Sequence, residues 1–443
     1  MSSHFKFGIF VVLICTGYLT ANNFYVDQDA KGSRSGFSWN QAWTSFDQIN
    51  WNLMSGGDTL FISGGMNTKT YSNQTMIIHG FSKSTPASPL VISKGLEHPH
   101  NGQVILEGNM QTDYGIHLDR STSVYIQSLT VQNFINTGGI HIRWSKDIKV
   151  ENCRIKVGGH GGVYIHASKS CQVTNCIITT PIHTDRQNDG IYSQWSNHNT
   201  FSDNIIIINN EDIDQHCDAI QCYVDTNSTI FNNYVEQNNH KLYNCQGLYA
   251  NDCYGDIIMY NNVVYAPNSE NTLLCLSNDR QGNGRLIAYH NTLFGGKWGT
   301  IKIINAPGSI VKNNIAVSYF NPCWIVRLEG PLSYPENIDY NCYYVPNTKA
   351  FLSIDQRHTT WQQWKSRGYD DHSIYANPIL ADVKKRNFGV DNTSPVIGQG
   401  ILLPPPFNID KVGNIREKHQ VDMGAFQTGS YKIQSPTNLR FSR

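Results

Sequence analysis

The residues best placed to do chemistry are two aspartates one repeat apart. Asp189 stands in Asn188-Asp189-Gly190-Ile191-Tyr192, Asp218 in His216-Cys217-Asp218-Ala219-Ile220-Gln221, and Cys245-Gln246-Gly247-Leu248-Tyr249 follows at a similar interval. Each aspartate precedes an aliphatic residue by two positions, so stacking these segments sets the carboxylates side by side. Two carboxylates that close need a cation or a shared proton. Three uses follow. The pair could hold Ca²⁺ with help from carbonyl or Gln oxygens, could divide acid and nucleophile or base roles as in glycoside hydrolysis, or could cap two turns by accepting backbone amides. His216 and Tyr192 adjoin the pair, and Arg143 with His166 lies one or two repeats away. No lysine occupies an outward position beside it, Lys241 being the nearest in sequence.

What would position these groups is a repeat. Eight times the chain writes a small residue, an aliphatic one, a polar one and a second mostly apolar one, with anchors at Ile116, Ile140, Val163, Ile191, Ile220, Leu248, Leu274 and Ile301, 23 to 29 residues apart. Alternation over four residues marks a half-buried strand. A fixed period in this range marks a solenoid, because one such unit cannot bury its apolar face alone. About a dozen residues after each anchor comes a second column: Asn152-Cys153, Asn175-Cys176, Asp203-Asn204, Asn232-Asn233, Asn261-Asn262, His290-Asn291 and Asn313-Asn314. Asparagine tolerates left-handed backbone and bonds its own main chain, so this column predicts a stacked corner.

If the anchors point inward, the residues between them build one outer face. It carries His117, Asp119, His141, Arg143, Tyr164, His166, Tyr192, Gln194, Gln221, Tyr223, Tyr249, Asn251, Cys275 and Lys302. Rings with a polar tip suit sugars, and a long face suits a polymer; the competing reading is an aromatic ladder that only stabilises the sheet. Gln194, Gln221, Tyr223, Gln246, Tyr249, Asn251 and His141 are the expected glycan contacts. His117, His141, Arg143 and His166 gather upstream of the aspartates, and partly protonated histidines beside Arg143 would favour an acidic polysaccharide.

The two registered columns over residues 55–320 resemble the right-handed parallel β-helix of pectate lyases, polygalacturonases and related secreted proteins. His216, Asp218, Ile220 and Gln221 match a His-x-Asp-x-Ile-Gln phrase that recurs in such proteins. Asn188-Asp189-Gly190 and Gly159-His160-Gly161 are similar to polygalacturonase motifs, but their order here is reversed, which argues against that family. The resemblance implies an all-β right-handed solenoid of roughly ten coils and a polysaccharide ligand. A polysaccharide lyase acting on a uronate-containing glycan is the leading expectation, with Asp189, Asp218, His216, Tyr192, Arg143 and His166 as catalytic candidates. The alternatives are a glycoside hydrolase using Asp189 and Asp218, and a non-catalytic glycan-binding or adhesin-like β-helix.

The remaining organisation follows from punctuation. Residues 1–21 have a charged start, an apolar run from Phe7 to Cys15 and a small exit residue, which reads as a secretory signal. Residues 22–54 read as a strand and a capping helix, with Trp43, Phe46, Ile49 and Leu53 at helical spacing. From 321 to 443, Pro322, Pro331, Pro335 and later prolines mark an irregular cap, in which Trp361 and Trp364, at spacing three, either pack a helix onto the core, the favoured reading, or bind sugar. Cys217 with Cys245, and Cys153 with Cys176, occupy equivalent places on adjacent coils, so they either bridge or pack as reduced thiols. Asn73, Asn227 and Asn392 lie in glycosylation sequons. Net charge is zero, with 34 basic and 34 acidic residues, and no basic run appears, so neither nucleic acid nor an anionic membrane is an expected partner. A soluble extracellular monomer is the expectation.

Overall fold

The computed structural model describes residues 21–135, 138–181, 187–209, 216–238, 245–330, 337–346 and 351–429. The expected signal segment therefore lies outside the described residues except for Ala21, and Lys241 lies outside them as well. Three sheets of twelve described strands each run along the molecule, and each coil between Thr59 and Ile354 contributes one strand to each. The sheet built on the aliphatic anchors, here called the anchor sheet, contains Ile116–Asp119, Ile140–Arg143, Gly161–His166, Asp189–Gln194, Ile220–Tyr223, Leu248–Asn251, Leu274–Ser277 and Trp298–Ile304. After each of these the chain turns into a second sheet, then through the asparagine corner into a third. The described strand pairs in these sheets are parallel except the last of the anchor sheet, where Arg357–Thr359 folds back on Leu352–Ile354. This is a right-handed parallel β-helix.

Register follows the apolar pattern. Ile116, Ile140, Val163, Ile191, Ile220, Leu248, Leu274 and Ile301 are successive Cα partners, all fully buried. A slip by one residue would turn each of these side chains to the outside, so burial itself fixes the pairing.

The corner divides its labour between two residues. The first is left-handed: φ is 53° at Asn152, 52° at Asn175, 57° at Asp203, 55° at Asn232 and 53° at Asn261. The second points inward and ties one coil to the next. Asn262 Oδ1 accepts the Asn233 amide at 3.0 Å, while its own Nδ2 donates to Ile230 O at 2.9 Å and to Asn291 Oδ1 at 3.0 Å. Asn204, Asn233, Asn291 and Asn314 repeat the pattern. Buried backbone groups that no strand satisfies are thus satisfied by a side-chain ladder.

The cap at the start differs from the expected helix. Two single turns of 3-10 helix, Phe46–Gln48 and Trp51–Leu53, replace it, because the Asn50 side chain accepts the Asn52 amide and starts a new turn. The apolar spacing still has its use: Trp43 stacks on Phe24 at 5.9 Å and Phe46 on Tyr71 at 5.1 Å. Beyond residue 320, where the period fades from the sequence, strands Trp324–Glu329, Asn337–Asp339, Cys342–Tyr344 and Leu352–Ile354 still extend the three sheets. The only described α-helix is Trp361–Lys365; Trp364 is fully buried and donates to Asp370 Oδ2 at 2.7 Å, a packing role. The chain from 378 to 429 then runs back as a strap along the third sheet and its corner. Phe388, Ala425 and Phe426 cover Tyr234 and Val263, and Asn261 and Asn313 donate to Ile409 O and Ile401 O. Among the described residues no helix is long and apolar enough to cross a membrane.

Candidate active site on the anchor sheet

The outer face of the anchor sheet carries two columns. His117, His141, Tyr164, Tyr192, Gln221, Tyr249, Cys275 and Lys302 are register partners in one; Asp119, Arg143, His166, Gln194, Tyr223 and Asn251 are partners in the other. The tyrosines and histidines of the first column form a ladder: Tyr114 stacks on His117 at 4.9 Å, His141 on Tyr164 at 5.0 Å and Tyr164 on Tyr192 at 5.0 Å.

At the entrance to three successive strands lie Asp189, Asp218 and Gln246. Asp189 Oδ1 accepts the Asp218 amide at 2.7 Å and Asp218 Oδ1 accepts the Gln246 amide at 2.6 Å. Half of each carboxylate therefore holds coil to coil, as the asparagines do at the opposite corner. Asp218 turns its other oxygen to His216, whose Nε2 is 3.5 Å from Asp218 Oδ2, while His216 Nδ1 is 3.7 Å from the same Asp189 Oδ1 that accepts the amide. Gln187 closes the group, donating to Asp189 Oδ2 at 2.8 Å and to Gln221 Oε1 at 3.3 Å. Burial opposes charge on His216, but Asp218 and then Asp189 outweigh it and raise the imidazole to about 10. Burial, with the neighbouring Asp189 charge, also pushes Asp218 well up while His216 pulls it down. His216 and Asp218 thus share a proton through neutral pH. Both aspartates are 0 % exposed, whereas the His216 side chain is 31 % exposed. The member of this cluster that can meet a ligand is His216.

Ligating atoms of Asp189, His216 and Asp218 lie within 4.8 Å of one another. Ca²⁺ requires six to eight oxygen ligands. Here both Oδ1 atoms already accept backbone amides, and the third donor is an imidazole held protonated. Two carboxylates and one imidazole supply fewer oxygens than that ion takes.

Upstream, the histidines are not the cationic strip the sequence suggested. Burial lowers His141 to about 3, with His117, His166 and Arg143 adding repulsion, and burial lowers His117 and His166 too. His117 Nδ1 and His141 Nδ1 are 3.1 Å apart, so one donates and the other accepts. The fixed cation is Arg143, whose guanidinium lies 3.6 Å from the centre of the Trp144 ring; Arg120 approaches the same ring at 4.5 Å. Arg143 and His166 are direct register partners, and the Tyr164 hydroxyl is 3.3 Å from His166 Nδ1 and donates to Gln194 Oε1 at 2.7 Å. Burial raises Tyr164, Tyr192 and Tyr249, so all three keep their protons. The fourteen outward residues occupy the two aligned columns, while Tyr249 meets His216 at 6.3 Å.

Sequence reasoning missed Gln187 and the exposed Trp144 and Trp195. The tryptophans carried a signal: each follows the second outward residue of its strand, at a left-handed position. Gln187 carried none, because it reaches the cluster from outside the repeat. Neither expected disulfide is formed. Cys153 and Cys176 stand in the asparagine column and bond as thiols to each other and to backbone carbonyls, and the Cys245 thiol bonds Cys217. Of the sequons, Asn73 and Asn392 are exposed, whereas Asn227 Oδ1 accepts the Asp256 amide at 2.9 Å as a turn residue.

Residues 114–279 match the family model described as a right-handed β-helix region. No curated protein matches the sequence. Two solved structures resemble it: a pectate lyase, Pel9A, at 13 % identity over 93 % of this chain and 97 % of that one with a TM-score of 0.54, and XylC in complex with xylose, at 8 % identity over 92 % and 98 % with a TM-score of 0.51. Repeat, coordinates and family model agree that this chain is a right-handed parallel β-helix protein.

Proposed function

We propose that this protein is a secreted carbohydrate-active β-helix enzyme, a polysaccharide lyase that cleaves a uronate-containing chain laid along the anchor sheet. The observation that carries the reading is the Arg143–His166–Tyr164 cluster: a permanent cation beside a half-buried imidazole that burial keeps neutral, joined to a tyrosine that keeps its proton. Such a set matches what elimination demands. Arg143 pairs with the uronate carboxylate, and His166 takes the C5 proton. The electron pair forms the C4–C5 double bond as the bond to the leaving oxygen breaks, and Tyr164 protonates that oxygen. His216 presents a second positive charge two coils on. That the same fold serves a pectate lyase is consistent with this chemistry. The hydrolase alternative is less well supported, because Asp189 and Asp218 are fully buried and cannot reach a glycosidic bond.

The test is digestion of a panel of acidic and neutral polysaccharides, followed by the ultraviolet absorbance of an unsaturated uronate. Acidic substrates should raise that absorbance, with and without a chelator. His166→Gln should lower the rate by about 10²-fold or more, the ordinary contribution of a general base. New reducing ends without absorbance would establish hydrolysis instead, and retention without product would establish a binding module.

A further inference from the structure

On a different face of the prism, the third sheet holds a cavity of about 940 Å³ at its upstream end. The C-terminal strap covers this sheet from Ile205 onward and, among the described residues, leaves the earlier coils open. In a chain with 34 basic and 34 acidic residues, the described residues that line the cavity include three cations, Lys94, Arg154 and Lys156, and no acid. Arg154 and Lys156 alternate with buried Ile155 on one short strand, so both point outward and both are exposed. The acid next in the Lys156 column, Glu107, lies outside the cavity lining and is engaged by Gln132, Asn133 and the Asn109 amide at 2.7, 2.9 and 2.8 Å.

We infer that this groove binds an acidic polysaccharide at a site separate from the anchor-sheet face. Charge complementarity is the main argument: anionic groups spaced along a chain would meet Arg154, Lys156 and Lys94 without meeting a carboxylate. The rest of the lining selects a sugar. Gln103, Gln132 and Asn152 offer amides to hydroxyls, and Ile105 and Ile177 stand at either end of a column that holds Thr130 and Arg154, giving apolar contact on both sides of polar ones. Successive strands stand about 4.8 Å apart, close to the length of one sugar ring, so an extended chain can track the coils. A single-stranded nucleic acid is disfavoured, because no aromatic side chain lines the groove to stack a base.

Affinity electrophoresis in gels cast with polygalacturonate, with dextran as the uncharged control, tests the inference. Wild-type protein should be retarded by polygalacturonate alone, and increasingly less as salt is raised. Arg154→Ala/Lys156→Ala should weaken that affinity at least about tenfold, while cleavage of short oligosaccharides is unchanged. Arg154→Gln/Lys156→Gln, which keeps side-chain bulk, should behave alike and guards against a folding defect. Full retardation of both variants, equal retardation by dextran, no retardation of the wild type, or tighter binding of a single-stranded oligonucleotide would each overturn it. Retardation of the wild type by polygalacturonate with no cleavage of any acidic substrate would instead sink the lyase reading and leave this one standing.

Discussion

Replacing His216 with Gln should flatten the alkaline stability profile of the protein. In the unfolded chain an imidazole loses its proton near pH 6.5 and both aspartates have lost theirs. In the folded chain His216, beside Asp218 and Asp189, keeps its proton until about pH 10. The folded state therefore binds more protons, and stability is fully present below the unfolded value and declines as pH rises through the folded one. The slope has a ceiling of about 1.4 kcal/mol per pH unit for one proton. Over the window from about 6.5 to about 10 that would total about 5 kcal/mol, but a side chain that is 31 % exposed keeps part of its hydration, so about 2 kcal/mol is the expected share. Thermal melting of the wild type and His216→Gln from neutral to alkaline pH measures it. Other titrating groups act on both proteins, so the difference between the curves isolates this cluster. The wild-type advantage should shrink across the window, and the His216 imidazole resonance should not titrate near neutrality. Parallel melting curves, or an imidazole that titrates near pH 6.5, would refute the shared-proton account.

Other consequences follow from single contacts. Asn262→Ala removes the acceptor of the Asn233 amide and the donor to Ile230 O inside the stack, and should cost about 3 kcal/mol in urea unfolding. Gly190→Ala puts a methyl group 2.5 Å from the Ala219 carbonyl oxygen, backbone that cannot give way, and 2.7 Å from the packed Ile206 side chain, so soluble yield and melting temperature should fall sharply. His141 sits neutral in the folded chain down to about pH 3 but takes a proton in the unfolded chain below about 6.5, so stability should fall as pH drops between those values. His141→Phe keeps the ring stack and should remove that acid sensitivity in melting curves; an unchanged acid profile would count against the buried neutral imidazole.

The stack was legible in the sequence because its information is local and repeated. Ile140 and Ile142 on one side of a strand, with His141 and Arg143 on the other, fix orientation within four residues, and register follows from aligning one phrase with the next. The side-by-side placement of Asp189 and Asp218 followed from the same alignment. What escaped depends on the third dimension. Two residues before an anchor is a position that turns under the neighbouring coil, so the aspartates are buried. Histidines set at strand spacing desolvate one another, so His141 is neutral. The coils beyond residue 320 were hidden because the small-aliphatic-polar phrase fades from the sequence there, although Trp324–Glu329 and Leu352–Ile354 still carry buried residues in register with it. The cap lost its helix to one asparagine, Asn50, whose side chain competes for the backbone.

These placements change how variants of the site must be interpreted. Asp189 and Asp218 each accept the amide of the next coil and also lie within 3.7 Å of a ring nitrogen of His216, so removing either carboxylate loosens the stack and weakens the hold on the imidazole's charge together. A loss of activity in Asp189→Ala or Asp218→Ala would therefore not identify a catalytic carboxylate. Asp218→Asn is more informative: its amide oxygen can still accept the Gln246 amide, while its other atom no longer offers His216 a negative charge. If the site works through a positive charge presented to an acidic sugar, Asp218→Asn should keep much of its fold, lower the imidazole toward its ordinary value, and lose affinity for acidic substrate as pH rises past that value. A variant that stays folded and binds acidic substrate with the wild-type pH profile would assign the cluster to the stack alone and leave the chemistry to Arg143, His166 and Tyr164.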